Sequence, residues 1–201
     1  MRRTLSAVLT GLVILTGAVA CSSNGSGSDS GSGSGPSSSA PAPEVNPAGD
    51  IPDNQVYVDW SPADGGYRVK VPEGWARQAS GAATVFSDKF NSVRIERSPA
   101  AQAPTVDSVR SADLPAVERS GTNVTVGKVS TVSRQGGSAV LATYQADSAA
   151  DGVTGKSVRQ DVERYVFWQK GEQVVLTLSG AVGADNVDPW RTVTDSFRWS
   201  Q

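Results

Sequence analysis

The chain has 201 residues, with 18 basic and 20 acidic side chains, five tryptophans, one cysteine and no histidine. The missing histidine excludes Ser-His-acid and Cys-His nucleophilic catalysis and removes the commonest metal ligand. A lone cysteine excludes an intrachain disulfide, and a net charge of −2 gives no electrostatic basis for binding nucleic acid or an anionic membrane surface.

Residues 1–20 have the three parts of an export signal. Arg2 and Arg3 form the positive start, and Ala7 to Val19 is an apolar run interrupted only by Thr10, Gly11, Thr16 and Gly17. That run is shorter than the roughly 20 apolar residues a spanning helix needs. It ends in Ala18-Val19-Ala20-Cys21, which resembles the lipobox of bacterial lipoproteins. Small residues at Ala18 and Ala20 suit a narrow peptidase site, and the thiolate of Cys21 is the nucleophile that can take a diacylglycerol as a thioether. Cys21 is therefore the expected lipidation site, and the mature protein is expected on the outer face of the cell membrane. The Arg2-Arg3 pair lacks the flanking residues of the twin-arginine motif, which favours the general secretory route. Removal of Arg2 and Arg3 with the signal takes the 18 basic residues to 16 against 20 acidic, a mature net charge of −4.

Residues 21–50 read as the lipidated cysteine and a tether. Ser22 to Gly35 is a Gly/Ser coil, and Pro36 to Pro47 is richer in proline and alanine and therefore stiffer. A flexible chain of about 29 residues spans on the order of 30 Å, and stretching multiplies that about threefold.

Residues 51–201 are enough for one domain with its own core. Alternating polar and apolar residues predict strands over 55–60, 67–71, 83–86, 92–97, 122–132 (with a slip at Gly127), 138–145, 158–168 and 172–179. Gly65-Gly66, Gln135-Gly136-Gly137 and Gln169-Lys170-Gly171 are turn signals. In the last strand Val174, Leu176 and Leu178 share a face, so the sheet has at least one buried side. Two helices are expected. The first is capped by Thr105, carries Val106 and Val109 on one face, and ends or kinks near Asp113 because of Pro115. The second has Asp188 as cap, Pro189 at the first helical position, and Trp190, Val193 and Phe197 on its apolar stripe. Successive hairpins with two amphipathic helices predict an α+β domain, an antiparallel sheet flanked by helices.

The stretch Gly66-Tyr67-Arg68-Val69-Lys70-Val71-Pro72-Glu73-Gly74-Trp75 resembles the opening of PsbP-like domains, where a strand runs into a Pro-x-Gly-Trp turn. The closing Trp190-Arg191-Thr192-Val193-Thr194-Asp195-Ser196-Phe197-Arg198 resembles their terminal helix. With the signal and tether, the chain is similar to the actinobacterial LpqN/LpqT-type lipoproteins. The resemblance implies a PsbP-like α/β/α sandwich and an accessory or binding role, with no catalytic residues carried over.

Candidate chemistry is sparse. Asp151, Asp161 and Glu163 could form a paired-carboxylate site, but Asp161 and Glu163 beside Arg159 read better as a solvated sheet face. Asp185, Asn186 and Asp188 lack the alternating oxygen ligands of a calcium loop, and neither glycine pair leads into the helix a phosphate loop requires. No metal, cofactor or catalytic residue is expected. Of Trp60, Trp75, Trp168, Trp190 and Trp199, most belong to core packing. Trp75 and Trp199 are the two expected to be partly exposed and available for binding. The expectation is a non-enzymatic accessory module that docks on another exported protein or complex. The alternative is a carrier or sensor of lipid-like ligands, which needs an apolar pocket of roughly 300–1,000 Å³.

Overall fold

The computed structural model describes residues 49–152 and 154–200. The expected export signal, the expected lipidation site Cys21 and the expected tether through residue 48 lie outside the described residues. The last two residues assigned to the tether, Gly49 and Asp50, are built into the domain. Asn91 and Asn186 both donate side-chain amide hydrogens to the Gly49 carbonyl (2.9 and 3.1 Å), and Asp50 Oδ1 accepts from the backbone of Asp185 (2.9 Å).

A seven-stranded antiparallel sheet forms the centre, in the order β3-β4-β5-β9-β8-β7-β6. Its strands are β3 (Ala76–Ser80), β4 (Ala83–Asp88), β5 (Asn91–Pro99), β6 (Thr122–Arg134), β7 (Gly137–Asp147), β8 (Arg159–Gln169) and β9 (Glu172–Ala181). The innermost strands carry apolar residues on both faces, because β9 runs Val174-Val175-Leu176 and β8 runs Tyr165-Val166-Phe167, all buried. Such a sheet needs a cover on each side. The slip expected at Gly127 is real: β6 changes register between Val126 and Val129.

One cover combines a small sheet, β1 (Tyr57–Trp60), β2 (Tyr67–Pro72) and β10 (Arg198–Trp199), with helix α3 (Val187–Ser196). Tyr67, Val69 and Val71 alternate inward from β2 and meet Val93, Ile95, Phe167, Leu176 and Leu178. Phe197 closes this layer. It is fully buried, stacks on Phe167 at 4.3 Å, and contacts Tyr67 (5.8 Å) and Trp199 (5.3 Å). Gly136, in the β6–β7 turn, lies so close that a Cβ there would stand 2.4 Å from the Phe197 carbonyl oxygen. The expected sandwich is thus present, with one of its helical layers shared with a three-stranded sheet. Strands β3 and β10 were not expected: β3 is exposed throughout and has no apolar alternation, and β10 is only two residues long.

The other cover is helical. Helix α1 (Val106–Ser108) is capped by Thr105, whose side chain accepts from Ser108 while Ser108 reaches back to the Thr105 backbone. The chain continues through a π-helical turn (Val109–Asp113) into α2 (Leu114–Ser120). The helix therefore does not end near Asp113. Pro115 has no N–H and crowds the preceding turn, and the wider π turn accommodates it, with Leu114 N–H bonding to the Val109 carbonyl. Val109 and Leu114 bury against Val129, Val140, Ala142, Val166 and Val175.

Helix α3 also starts differently from expectation. Its N-cap is Asn186 rather than Asp188, so Pro189 falls two positions later than expected, in the first turn. Asn186 is fixed by buried amide bonds instead of a capping bond: Oδ1 accepts from Ile51 N–H (2.8 Å), and Nδ2 donates to Gly49 and to Asn91 Oδ1 (3.0 Å). A Cβ on Gly180 would stand 2.6 Å from one of these amides and 2.7 Å from the other, so only glycine fits on the strand beneath them.

Burial pushes the phenols of Tyr57, Tyr67 and Tyr165 from 10 up to about 12, and for Tyr165 a hydrogen bond to Glu163 adds to it. Because the folded values exceed the unfolded one, these groups leave stability intact below pH 10 and withdraw it as pH rises toward 12. Thermal melts should show a melting temperature that falls across pH 10–12, with a shallower fall in Tyr67→Phe. A melting temperature that stays level across this range would contradict the burial assigned to the three phenols.

Candidate functional site

The residues singled out in the sequence do not converge. Trp75 is half-buried and lines a cavity of about 400 Å³ with Ile51, Gln55 and Phe90, where the chain enters the domain. Trp199 is half-buried against Phe197, at the opposite end of β2, which puts the two indoles on the order of 20 Å apart. Trp60 packs edge-on to Tyr67 and Phe86, Trp168 donates its indole N–H to the Ala100 carbonyl (2.8 Å), and Trp190 is buried in the core.

The carboxylates are engaged separately. Asp161 accepts from Gln145 (2.8 Å) and Glu163 from the Tyr165 hydroxyl (2.7 Å). Asp151 holds its own loop by accepting from the backbone and hydroxyl of Thr154 (2.7 and 2.9 Å). Arg159 bonds to Asp147, Thr125 and the Asn123 carbonyl rather than to Asp161 or Glu163. The Asn123 amide and Arg159 together hold the Asp147 carboxyl below its usual range. Asp185, Asn186 and Asp188 do not gather around a point, since Asn186 is committed to the amide clasp and Asp188 is exposed in the first turn of α3. Among the described residues no three His, Cys, Asp or Glu side chains are grouped to hold a metal.

Two concavities among the described residues bring several cationic side chains together. The first, about 680 Å³, lies between β2 and α3 and contains Arg68, Lys70, Arg191 and Arg198. Asp59, Asp188 and Asp195 balance most of that charge. Arg191 pairs with Asp195 (3.3 Å), and Arg198 spends its guanidinium on the Asp195 and Phe197 carbonyls and on Gln135.

The second, about 500 Å³, runs between α2 and the sheet. Strand register explains its make-up. The row under the helix, Val175-Val166-Val140, is buried and apolar. One row further on, Arg94, Thr177 and Arg164 stand side by side on β5, β9 and β8. The next row places Ser92, Ser179, Val162 and Tyr144 across β5, β9, β8 and β7. Helix α2 covers the apolar row and leaves the polar ones at the floor of a groove walled by Ala116, Val117 and Val124.

Partners on this floor are unevenly shared. Arg94 pairs with Glu96 at 2.9 Å, and the Ser92 and Ser179 hydroxyls bond to each other at 2.8 Å. Arg164 pairs with no carboxylate among the described residues. Its Nη1 donates to Thr177 Oγ1 (3.1 Å), and its Nε is buried without a hydrogen-bond partner. Burial raises the Tyr144 phenol above its ordinary value, with Arg164 and then Arg94 close enough to pull it partly back. Leaving a buried charged donor unpaired costs about 1–3 kcal/mol or more. The groove was missed in the sequence although a signal was present: Arg164 interrupts the inward series Val162-Arg164-Val166, and Thr177 and Ser179 alternate with Leu176 and Leu178.

No family model and no curated protein matches this chain. Solved structures do. The cyanobacterial PsbP (CyanoP) of Synechocystis sp. PCC 6803 superposes with a TM-score of 0.52 at 16% identity, over 76% of this chain and 98% of that one. The fold is PsbP-like. The Ran-binding protein Mog1p of Saccharomyces cerevisiae (TM-score 0.48, 11% identity, 72% of this chain and 95% of that one) superposes more loosely. So does LpqN of Mycobacterium tuberculosis, described as involved in cell envelope biogenesis (TM-score 0.42, 15% identity, 74% and 93%).

If Arg164 contributes nothing to the fold, Arg164→Met should be neutral or stabilising by about 1 kcal/mol, because it removes a half-buried guanidinium whose Nε is unpartnered and roughly keeps the volume. Chemical denaturation measures this directly. A loss above about 2 kcal/mol would make Arg164 a structural residue of the PsbP-like domain.

Proposed function

We propose that this chain is a lipid-anchored accessory module of the cell envelope, of the LpqN/LpqT type. In this reading it is held on the outer face of the cell membrane through Cys21, and it docks on another exported protein or complex without catalysing a reaction. The observation that carries this reading is the contrast between interior and surface. The core around Phe167, Leu176 and Phe197 is filled with fully buried side chains, while the principal concavities are open and polar-edged. A carrier that encloses a lipid needs the reverse, a deep apolar cavity within the domain. A surface held on a tether needs little affinity, because confinement near the membrane raises its local concentration toward partners in the same layer.

The histidine-free sequence, the export signal and the tether of residues 21–50 support the same reading. The decisive experiment is in-situ cross-linking of the anchored protein with identification of what is captured, run beside Cys21→Ala. The expected result is a defined exported protein captured by the wild type, with Cys21→Ala released from the membrane fraction and its capture reduced. Recovery of lipid alone, or unchanged fractionation of Cys21→Ala, would contradict the proposal.

A further inference from the structure

The groove between α2 and the sheet has the makings of a ligand site that docking on a protein does not require. Its floor holds Arg164 half-buried, with no acidic partner among the described residues. On the same floor the nearby carboxylate of Glu96 is occupied by Arg94. Asp113, at the rim, forms no ion pair with Arg164. Thr177 holds Nη1 of Arg164 and Nε is covered, so Nη2 is the end left to receive an acceptor. Tyr144 lies diagonally across the strand pair, since Ala142 is opposite Arg164 and Val162 is opposite Tyr144. Its hydroxyl makes no hydrogen bond within the described residues, and burial keeps it protonated, so it remains a donor. Two donors, one of them cationic, thus line the same recess. A guanidinium in such a place selects an oxyanion with several oxygens.

The rest of the lining sets the other half of the ligand. Ala112, Ala116 and Val117 on the helical side, and Val124, Ala146 and Val162 around the floor, are apolar. About 500 Å³ holds a head group and a few methylenes, and the open top prevents enclosure of a whole lipid.

We propose that this groove binds the acidic head of a small amphiphile, a phosphate monoester or carboxylate on an aliphatic chain. The head oxygens take Nη2 of Arg164 and the hydroxyl of Tyr144, and the first methylenes lie against Val117, Val124 and Val162. The module would thereby respond to an acidic lipid or lipid precursor while remaining an accessory protein. The inference does not depend on which protein the domain docks with, or on whether it docks at all.

The test uses the full chain with Cys21→Ala, so that its own acyl chains cannot compete, titrated with octyl phosphate, octanoate, 1-octanol and inorganic phosphate. Binding is followed by calorimetry and by NMR shifts of Tyr144, Arg164 and Thr177. At least one of the two acids should bind and shift these residues, and the stronger of the two identifies the head group. Octanol and inorganic phosphate should bind at least tenfold more weakly. Arg164→Gln should weaken the acid at least tenfold and Tyr144→Phe severalfold, while Arg68→Gln in the outer groove leaves it unchanged. Comparable binding of octanol or of inorganic phosphate would overturn the proposal. So would an affinity that survives Arg164→Gln, or the failure of both acids to bind.

Discussion

A seven-stranded sheet that is apolar on both faces of its central strands has to be covered twice, and the two covers are unequal. On one side Tyr67, Val69 and Val71 of β2, Trp190 and Val193 of α3, and Phe197 pack with Phe167, Leu176 and Leu178 in one buried cluster. On the other, a helix interrupted by a π turn covers the row through Val140, Val166 and Val175, with Ala142 and Val129 at its β6–β7 end. The residues beyond its reach are Arg94, Thr177, Arg164, Ser179 and Tyr144. The first face holds the domain together through aromatic stacking, and the second, left partly open, presents polar groups at the bottom of a groove. In the proposed reading, stability and recognition are divided between opposite faces of one sheet.

The entry of the chain into the domain is also fixed. Asn186 and Asn91 hold the Gly49 carbonyl from two directions, and Ile51 N–H returns a bond to Asn186. Buried amides that satisfy one another in this way favour a single geometry, since displacing any one of them leaves others unpaired. The described chain thus enters the domain beside α3, next to the cavity that Trp75 lines and on the layer opposite the α2 groove. In the proposed lipid-anchored state, the residues preceding this point would connect it to the membrane.

Much of the fold was legible in the sequence, because alternation marks strands that are buried on one side. Val174, Leu176 and Leu178 gave their strand and its inner face, and Gly127 marked its bulge. The capping pair Thr105 and Ser108 starts the helix where expected. Strand β3 was illegible because no residue in it is buried, and the continuation through Pro115 because a π turn resolves a conflict that sequence rules treat as a stop. Asn186 took the cap from Asp188 because tertiary amide bonds hold it there, and no local rule anticipates a partner 135 positions away. The groove was hidden for a different reason. Its residues come from five strands, a π turn and a helix, and the register Arg94-Thr177-Arg164 is what makes the charged ones neighbours. Tryptophans drew attention in the sequence because they are large, yet Trp60, Trp168, Trp190 and Trp199 are used in packing or backbone bonding.

Arg164 is the residue on which the functional reading of this face turns, as a cation kept half-buried with a hydroxyl partner and no acid. The most direct measurement is native mass spectrometry of the protein isolated from its own membranes, wild type beside Arg164→Gln. The wild type should carry one acidic amphiphile per chain, and Arg164→Gln should have lost it. A neutral ligand, or the same acidic ligand retained by Arg164→Gln, would contradict the role assigned to the groove.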